Sequence, residues 1–415
     1  MFERLAIASR AFRHRNFRLF FMGQAISVTG AWMHSTAIYW LMWQLTQNSG
    51  KVGLLGFFSY LPMLLVAPFA GPWIDRFQRQ HLIFITQTIS MILALLLAVI
   101  TLGHWVQPWH LMLSALALGC TNALDSPARN SFDVDLVGKE DVTNAAALNT
   151  VLFNVARLIG PALAGAVMGV AGAGWCFGLN AVSFLAVIFC LRRMDFGSRN
   201  RAQQTAHHAQ KFGLLAGFHY VKNHPRINLL LLLLLITGLG CNGYNSILPA
   251  YAEHELHGQE TLYGLLLGAI GAGALLTGLY FTLYPPPAQQ LMRWTRLGTL
   301  SIGLSFLGFS CTESVGWAFA VAMVLGAGIV MLSLASKLII QLETEASYRG
   351  RVLAVYIALW LGMTPFSMLL LGSVAHQWGA AMALRLGGII CLVALLMTMA
   401  NTIRPRQKQQ SNAPD

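Results

Sequence analysis

The chain has 415 residues, 56% of them hydrophobic and only 10% charged, with a formal net charge of +12 and a mean hydropathy of +0.59. A soluble domain carries about 25% charged residues, so the composition excludes one and predicts an integral membrane protein. The bases are spread between apolar runs rather than gathered in one patch, so they mark topology and give no nucleic-acid surface.

Residues 1–16 carry Phe2, Leu5 and Phe12 among Arg4, Arg10, Arg13 and Arg15. Such an amphipathic stretch suits the inner surface of a membrane and lacks the features of a cleavable signal peptide. Twelve apolar runs follow, near 17–44, 52–74, 82–103, 109–129, 144–171, 175–192, 227–252, 261–284, 294–311, 316–342, 350–375 and 379–402. Each approaches or exceeds the roughly 20 residues of a helical span. Runs such as Leu229 to Ile236 are continuous rather than alternating, which predicts helices and not barrel strands. The long polar stretch 193–226, with Arg199, Arg201, His207, His208, Lys211 and Lys222, splits the runs six and six. The predicted organisation is an N-terminal segment at 1–16, a first bundle at 17–192, an inter-domain segment at 193–226, a second bundle at 227–403 and a tail at 404–415. Within the inter-domain segment, Phe212 to Val221 reads as a short surface helix.

With the N-terminus inside, twenty-one loop and terminal bases fall on the cytoplasmic side and Lys51 alone on the other, beside Glu253, Glu255, Glu260 and Glu313. This positive-inside pattern predicts that both termini are cytoplasmic, with the bases facing anionic membrane lipids. The six cysteines lie within or at the ends of spans without a CxxC pair, and unpaired thiols are expected. No P-loop or dinucleotide fingerprint is present, and no cofactor or metal site is expected.

Between the second and third runs lies Gly71-Pro72-Trp73-Ile74-Asp75-Arg76-Phe77-Gln78-Arg79-Gln80. This tight basic turn resembles the loop between helices 2 and 3 of the major facilitator superfamily, with Gln78 and Gln80 as departures. Further on come Asp125-Ser126-Pro127-Ala128-Arg129, Asp135-Leu136-Val137, Ala147-Leu148-Asn149, Phe153-Asn154, Ala156-Arg157, Gly160-Pro161 and Asn180-Ala181-Val182-Ser183-Phe184. These resemble the branch of that superfamily containing enterobactin and macrolide exporters. The halves also echo each other: Arg129 answers Lys337, and Gly160-Pro161 answers Thr364-Pro365. The resemblance implies an all-α membrane protein with twelve transmembrane helices in two pseudo-symmetric six-helix bundles, the major facilitator fold. It also implies a gating role for Gly71, Asp75, Arg76, Arg79, Arg129, Gly160 and Pro161. Ordinary topology-setting charge is the plainer reading of the turn, and simple small-residue packing that of the Gly-Pro pair.

Ionisable groups inside spans are functional candidates. Asp125 and Arg129 share a helical face at i, i+4, and His34 is the titratable group near the middle of the first span. Asp125 and His34 are therefore the candidates for proton coupling, although mutual neutralisation and a structural hydrogen bond are the respective alternatives. Spans 1, 4, 7 and 10 line the cavity in the resembling family. Gln24, Ser27, His34, Asn122, Asn242, Asn245, Lys337 and Gln341, together with Arg157 and Arg385, are the candidate substrate contacts, with helix–helix hydrogen bonding as the alternative. The expected activity is not enzymatic: export of an amphipathic siderophore-like or drug-like small molecule, by antiport with protons, from a monomer in the bacterial inner membrane. A lipid or lysophospholipid transporter and an importer of a metal chelate are the other readings.

Overall fold

The computed structural model describes residues 10–74, 78–194 and 214–410, and these are almost entirely helical. After a short 3-10 turn at Arg10–Arg13 come α1 (Arg15–Thr46), α2 (Ser49–Ile74), α3 (Arg79–Leu102), α4 (Pro108–Ala171) and α5 (Ala173–Arg193). Then follow α6 (Leu214–Lys222), α7 (Pro225–Cys241), α8 (Tyr244–His254), α9 (Glu260–Leu283), α10 (Leu291–Ser310) and α11 (Val315–Glu343). The last three are α12 (Arg349–Gly362), α13 (Thr364–Trp378) and α14 (Ala380–Gln410).

Nine spans among the described residues are long and apolar enough to cross a membrane, with α7–α8 and α12–α13 each counting as one. The first part of α4, α1 and α10 supply the remaining three. Polar groups dilute their hydropathy: Gln24 and His34 in α1, Asn122 and Asp125 in α4, Arg293 and Arg296 in α10. The fold is thus that of twelve transmembrane helices in two six-helix bundles. The predicted fourth and fifth spans are fused in α4, whose helical geometry is interrupted at Gly138 (φ 75°, ψ 176°).

Packing gathers the chain into two units. One comprises Met1–Gln47, Phe58–Lys211 and Gly258–Gly271, and the other Asn48–Phe57, Phe212–His257 and Ala272–Asp415. In the first, α1 and α3 each pack on α4 and α5. A buried cluster in this unit gathers Phe17, Phe20, Ile83, Phe132, Leu136 and Leu191, with the Phe20 and Phe132 rings edge to face at 5.2 Å. In the second, α10 packs on α11 and α14, α14 on α7 and α13, and α6 on α12.

A repeat not singled out from the sequence appears in the backbone. Gly172 joins the fifth and sixth spans with φ 85° and ψ 168°, and Gly379 joins the eleventh and twelfth with φ 85° and ψ 162°. This region of backbone space is essentially restricted to glycine. Replacing either with alanine is expected to lower stability by about 1–3 kcal/mol, read as a fall in the thermal unfolding midpoint of the purified protein. An unchanged midpoint in both variants would show that these turns relax without strain.

The halves differ in one respect that the apolar runs do not reveal. The seventh span breaks at Asn242-Gly243, between α7 and α8, and the eleventh at Met363, between α12 and α13. Pro365 has no N–H for the carbonyl four residues earlier, which accounts for the second break. By contrast Pro161, its counterpart in the first half, is carried inside the continuous α4.

Candidate functional site

The densest polar arrangement lies inside the first unit. Asp125 is only 4% exposed, and three donors converge on its carboxylate. Thr86 Oγ1 (2.5 Å) and Gln87 Nε2 (3.1 Å), both from α3, bond Oδ1. Arg129, one turn along α4, forms an ion pair with Oδ2. The same guanidinium donates to Gln24 Oε1 of α1. The Asp125–Arg129 pair therefore ties together α1, α3 and α4. Each of its hydrogen bonds is charge-assisted, and breaking the pair one-sidedly leaves the other charge stranded.

Beyond the end of the fourth span the polar groups continue. Asn149 Nδ2 donates to Asp133 Oδ2 at 2.7 Å. Burial pushes the Asp133 carboxyl up to about 6, against the opposing pull of the Asn149 hydrogen bond and the Arg129 charge. Because this folded-state value is raised, Asp133 contributes stability that is present below about pH 4 and is lost as pH rises through about 6. Arg79 Nη1 reaches both Asp135 oxygens at 2.9 and 3.0 Å and the Ser131 carbonyl at 3.3 Å. His14 Nε2 meets Asp141 Oδ2 at 3.0 Å, and the Ala11 N–H donates to Asn144 Oδ1 at 2.9 Å. Of the predicted gating set, Arg79 and Arg129 thus have acidic partners on α4. Gly71 ends in the last turn of α2, while Asp75 and Arg76 lie outside the described residues.

His34 is 5% exposed. Neither ring nitrogen has a hydrogen-bond partner among the described residues, and the imidazole packs on Phe177 at 4.8 Å between centroids. The expected structural hydrogen bond is not what holds it. An unpartnered buried polar group costs about 1–3 kcal/mol, so His34→Leu should unfold no earlier than the parent protein in a thermal melt. A large loss of stability in that variant would show that the imidazole has a partner in solution. If stability is kept and transport is lost, the histidine serves function.

The remaining predicted contacts are scattered. Gln24 and Ser27 are buried; Gln24 joins the Asp125 network, and Ser27 shares the α1 stripe of Gly23 and Gly30 that abuts α5. Asn122 and Lys337 are exposed, and Asn245 and Gln341 half-buried. Asn242 is engaged in structure, its Nδ2 donating to the Trp360 carbonyl at 2.7 Å. Arg385 is exposed and lies in the second turn of α14, whose first residue is Ala380. Arg157 sits half-buried over the Trp32 ring at 5.8 Å. Sequence reasoning missed Thr86, Gln87 and Asn149. The signal for the first two was Thr86-Gln87 itself, a polar pair within the apolar third run.

Comparison with known proteins adds identity to this geometry. The family model described as transmembrane secretion effector, of the major facilitator type, matches residues 7–415. The staphyloferrin A transporter of Staphylococcus aureus is 22% identical over 402 residues, covering 95% of this chain and 99% of the relative. The enterobactin exporter EntS of Escherichia coli O139:H28 is 25% identical over 419 residues, covering 95% and 94%. Among solved structures, the nucleoside transporter NupG superposes with a TM-score of 0.74 at 14% identity, covering 93% of this chain and 98% of that one. A bacterial homologue of the iron transporter ferroportin, in its inward-facing state, gives 0.69 at 17% identity, with 93% and 98% covered. These structures share the fold, and every relative named here is a transporter. The chain belongs to the transmembrane secretion effector family of the major facilitator superfamily, and it is a multi-pass membrane transporter rather than an enzyme.

Proposed function

We propose that this transporter is a proton-coupled antiporter that exports an amphipathic, siderophore-like or drug-like small molecule from the cytoplasm by alternating access. The observation that carries the coupling is Asp125, a buried carboxylate held by Thr86, Gln87 and Arg129. A proton arriving on Asp125 removes the charge that holds Arg129 and releases the guanidinium from that carboxylate. Such a change biases a two-state equilibrium by about 1–3 kcal/mol, enough to favour one access state over the other. The relatives that handle staphyloferrin A and enterobactin support a siderophore-like cargo.

The charge distribution supports an inner-membrane protein with both termini cytoplasmic. The 17–192 and 227–403 bundles are the moving bodies, joined by 193–226, and one chain suffices for transport. Asp75, Arg76, Arg79 and Arg129 form the gate, and Gly160-Pro161 shapes the fifth span around it. Inside-out vesicles with an acidic lumen test the reading: they should accumulate a siderophore-like or macrolide probe, and collapsing the pH gradient should stop uptake. Equal uptake with and without the gradient would overturn proton coupling, and accumulation only in right-side-out vesicles would reverse the direction.

A further inference from the structure

Arg129 has a carboxylate one helical turn away on either side. Asp125 precedes it by four residues and Asp133 follows it by four, and α4 is helical through both, the interruption lying later, at Gly138. Residues so spaced share a helical face. The guanidinium is held by Asp125 Oδ2 and by Gln24 Oε1 of α1. Asp133 is nearly as enclosed, 7% exposed, yet only half used. Its Oδ2 accepts from Asn149, whereas its buried Oδ1 has no hydrogen-bond partner among the described residues. A buried carboxylate oxygen without a donor is costly, and the positive charge that pulls on this one is that of Arg129.

The other bases of the elements packed here are engaged or exposed. From α3, Arg79 reaches Asp135 at 2.9 and 3.0 Å. Just before α1, His14 meets Asp141 at 3.0 Å. Arg192 and Arg193, at the end of α5, stand over the rings of Phe84 and Phe189, and Arg15 and Arg18, at the start of α1, are exposed. Arg129 is therefore the base placed to answer Asp133. Burial pushes the Asp133 carboxyl up to about 6, into a range where an ordinary aspartate no longer exchanges protons. The Asn149 bond adds a mechanical link. Asn149 lies beyond the Gly138 break, and it donates more strongly to an ionised carboxylate than to a neutral acid.

We infer that Asp133 is the second carboxyl of the coupling cycle: it receives Arg129 when Asp125 takes up a proton, and it gives its own proton to the cytoplasm as it does so. A proton bound by Asp125 alone would leave the guanidinium charged and without its carboxylate, at the cost of a stranded buried charge. With Asp133 as the alternative partner that cost is avoided. The proton bonds to Asp125, the ion pair breaks, and Arg129 swings one turn along α4. Pairing with the guanidinium favours the ionised form of Asp133, so its O–H bond breaks and the proton leaves on the side that the charge distribution makes cytoplasmic. On the return, the proton of Asp125 passes to Asp133 as Arg129 goes back. In both states the trio holds one proton and one guanidinium, and its charge stays at zero. The relay rests on the proton-coupled reading and names the partner through which Asp125 would act.

The first experiment needs no substrate. Full-length protein with isotope-labelled aspartate is titrated by infrared spectroscopy in lipid nanodiscs, and the carboxyl band missing from Asp133→Asn is that of Asp133. It should ionise at about pH 6 in the parent. In Asp125→Asn, Arg129 turns to Asp133, whose ionisation should fall by about 1–3 pH units. The double variant Asp125→Asn/Arg129→Gln, which strands no charge at that pair, should lose this fall. The second experiment uses inside-out vesicles and a siderophore-like or macrolide probe. Asp133→Asn leaves the Asp125–Arg129 pair in place; it should lose gradient-driven uptake and keep exchange at equal pH. An Asp133 ionisation unmoved by Asp125→Asn, or moved equally in the double variant, would overturn the relay, as would full gradient-driven uptake by Asp133→Asn. If Asp125→Asn stops that uptake and Asp133→Asn does not, the relay fails while the coupling reading stands; if neither variant stops it, both fail. If the parent takes up neither probe, the infrared titration alone decides the relay.

Discussion

Asp125→Asn is expected to abolish transport driven by a pH gradient while leaving substrate binding within about twofold of the parent. The substitution keeps the shape of the side chain. Its amide oxygen can still accept from Thr86 or Gln87, which approach at 2.5 and 3.1 Å. What it loses is the charge opposite Arg129 and the capacity to gain and release a proton. Arg129 keeps its contact to Gln24, but its charge is left without the carboxylate it pairs with, at a stability cost of about 1–3 kcal/mol. The informative comparison is between gradient-driven uptake and substrate exchange at equal pH on both sides. Loss of the first with retention of the second identifies Asp125 as the coupling group. Full gradient-driven transport in the variant would make Asp125 a structural acid and move the search to His34 or to another driving force.

The polar spine of this site was half legible in the sequence. Asp125 and Arg129 stand one turn apart on one run, so their pairing follows from helical geometry alone. The partners Thr86, Gln87 and Gln24 come from other helices, and no local spacing encodes which faces of α1, α3 and α4 meet. Span count was legible because continuous apolar length is a local property. The break at Asn242-Gly243 was not, because the apolar run continues across it and its contacts come from distant segments; the break at Met363 had a local cue in Pro365, but the apolar run continues across it too. His34 shows the same limit from the other side: its position in the first span was plain, but the lack of a partner depends on the aromatic surface of α5.

The second large effect is expected at the paired breaks of the second unit. Gly243 opens α8 after the break, and a β-carbon there would lie 2.5 Å from the Ser367 carbonyl oxygen and 2.7 Å from its carbon. These are backbone atoms of α13, so no side-chain rotation can relieve the clash. Gly243→Ala should therefore lower stability by about 3 kcal/mol. Gly278→Ala provides the control, since nothing lies within 4 Å of its added β-carbon; removing glycine from a helix interior there should raise stability by about 0.5–1 kcal/mol. Beside Gly243, Asn242 Nδ2 donates 2.7 Å to the Trp360 carbonyl, in the last turn of α12, where helix ends leave carbonyls without donors. Asn242→Leu strands that carbonyl and should cost about 1–3 kcal/mol. Broken helices are the usual means by which irregular backbone is tolerated inside a membrane, provided other groups satisfy it. In this chain an asparagine of one break supplies the donor to the other, so the two interruptions should melt as one unit. Thermal unfolding of Gly243→Ala, Asn242→Leu and the double variant decides this: losses smaller in combination than their sum establish the coupling, and strict additivity would show that the two breaks hold independently.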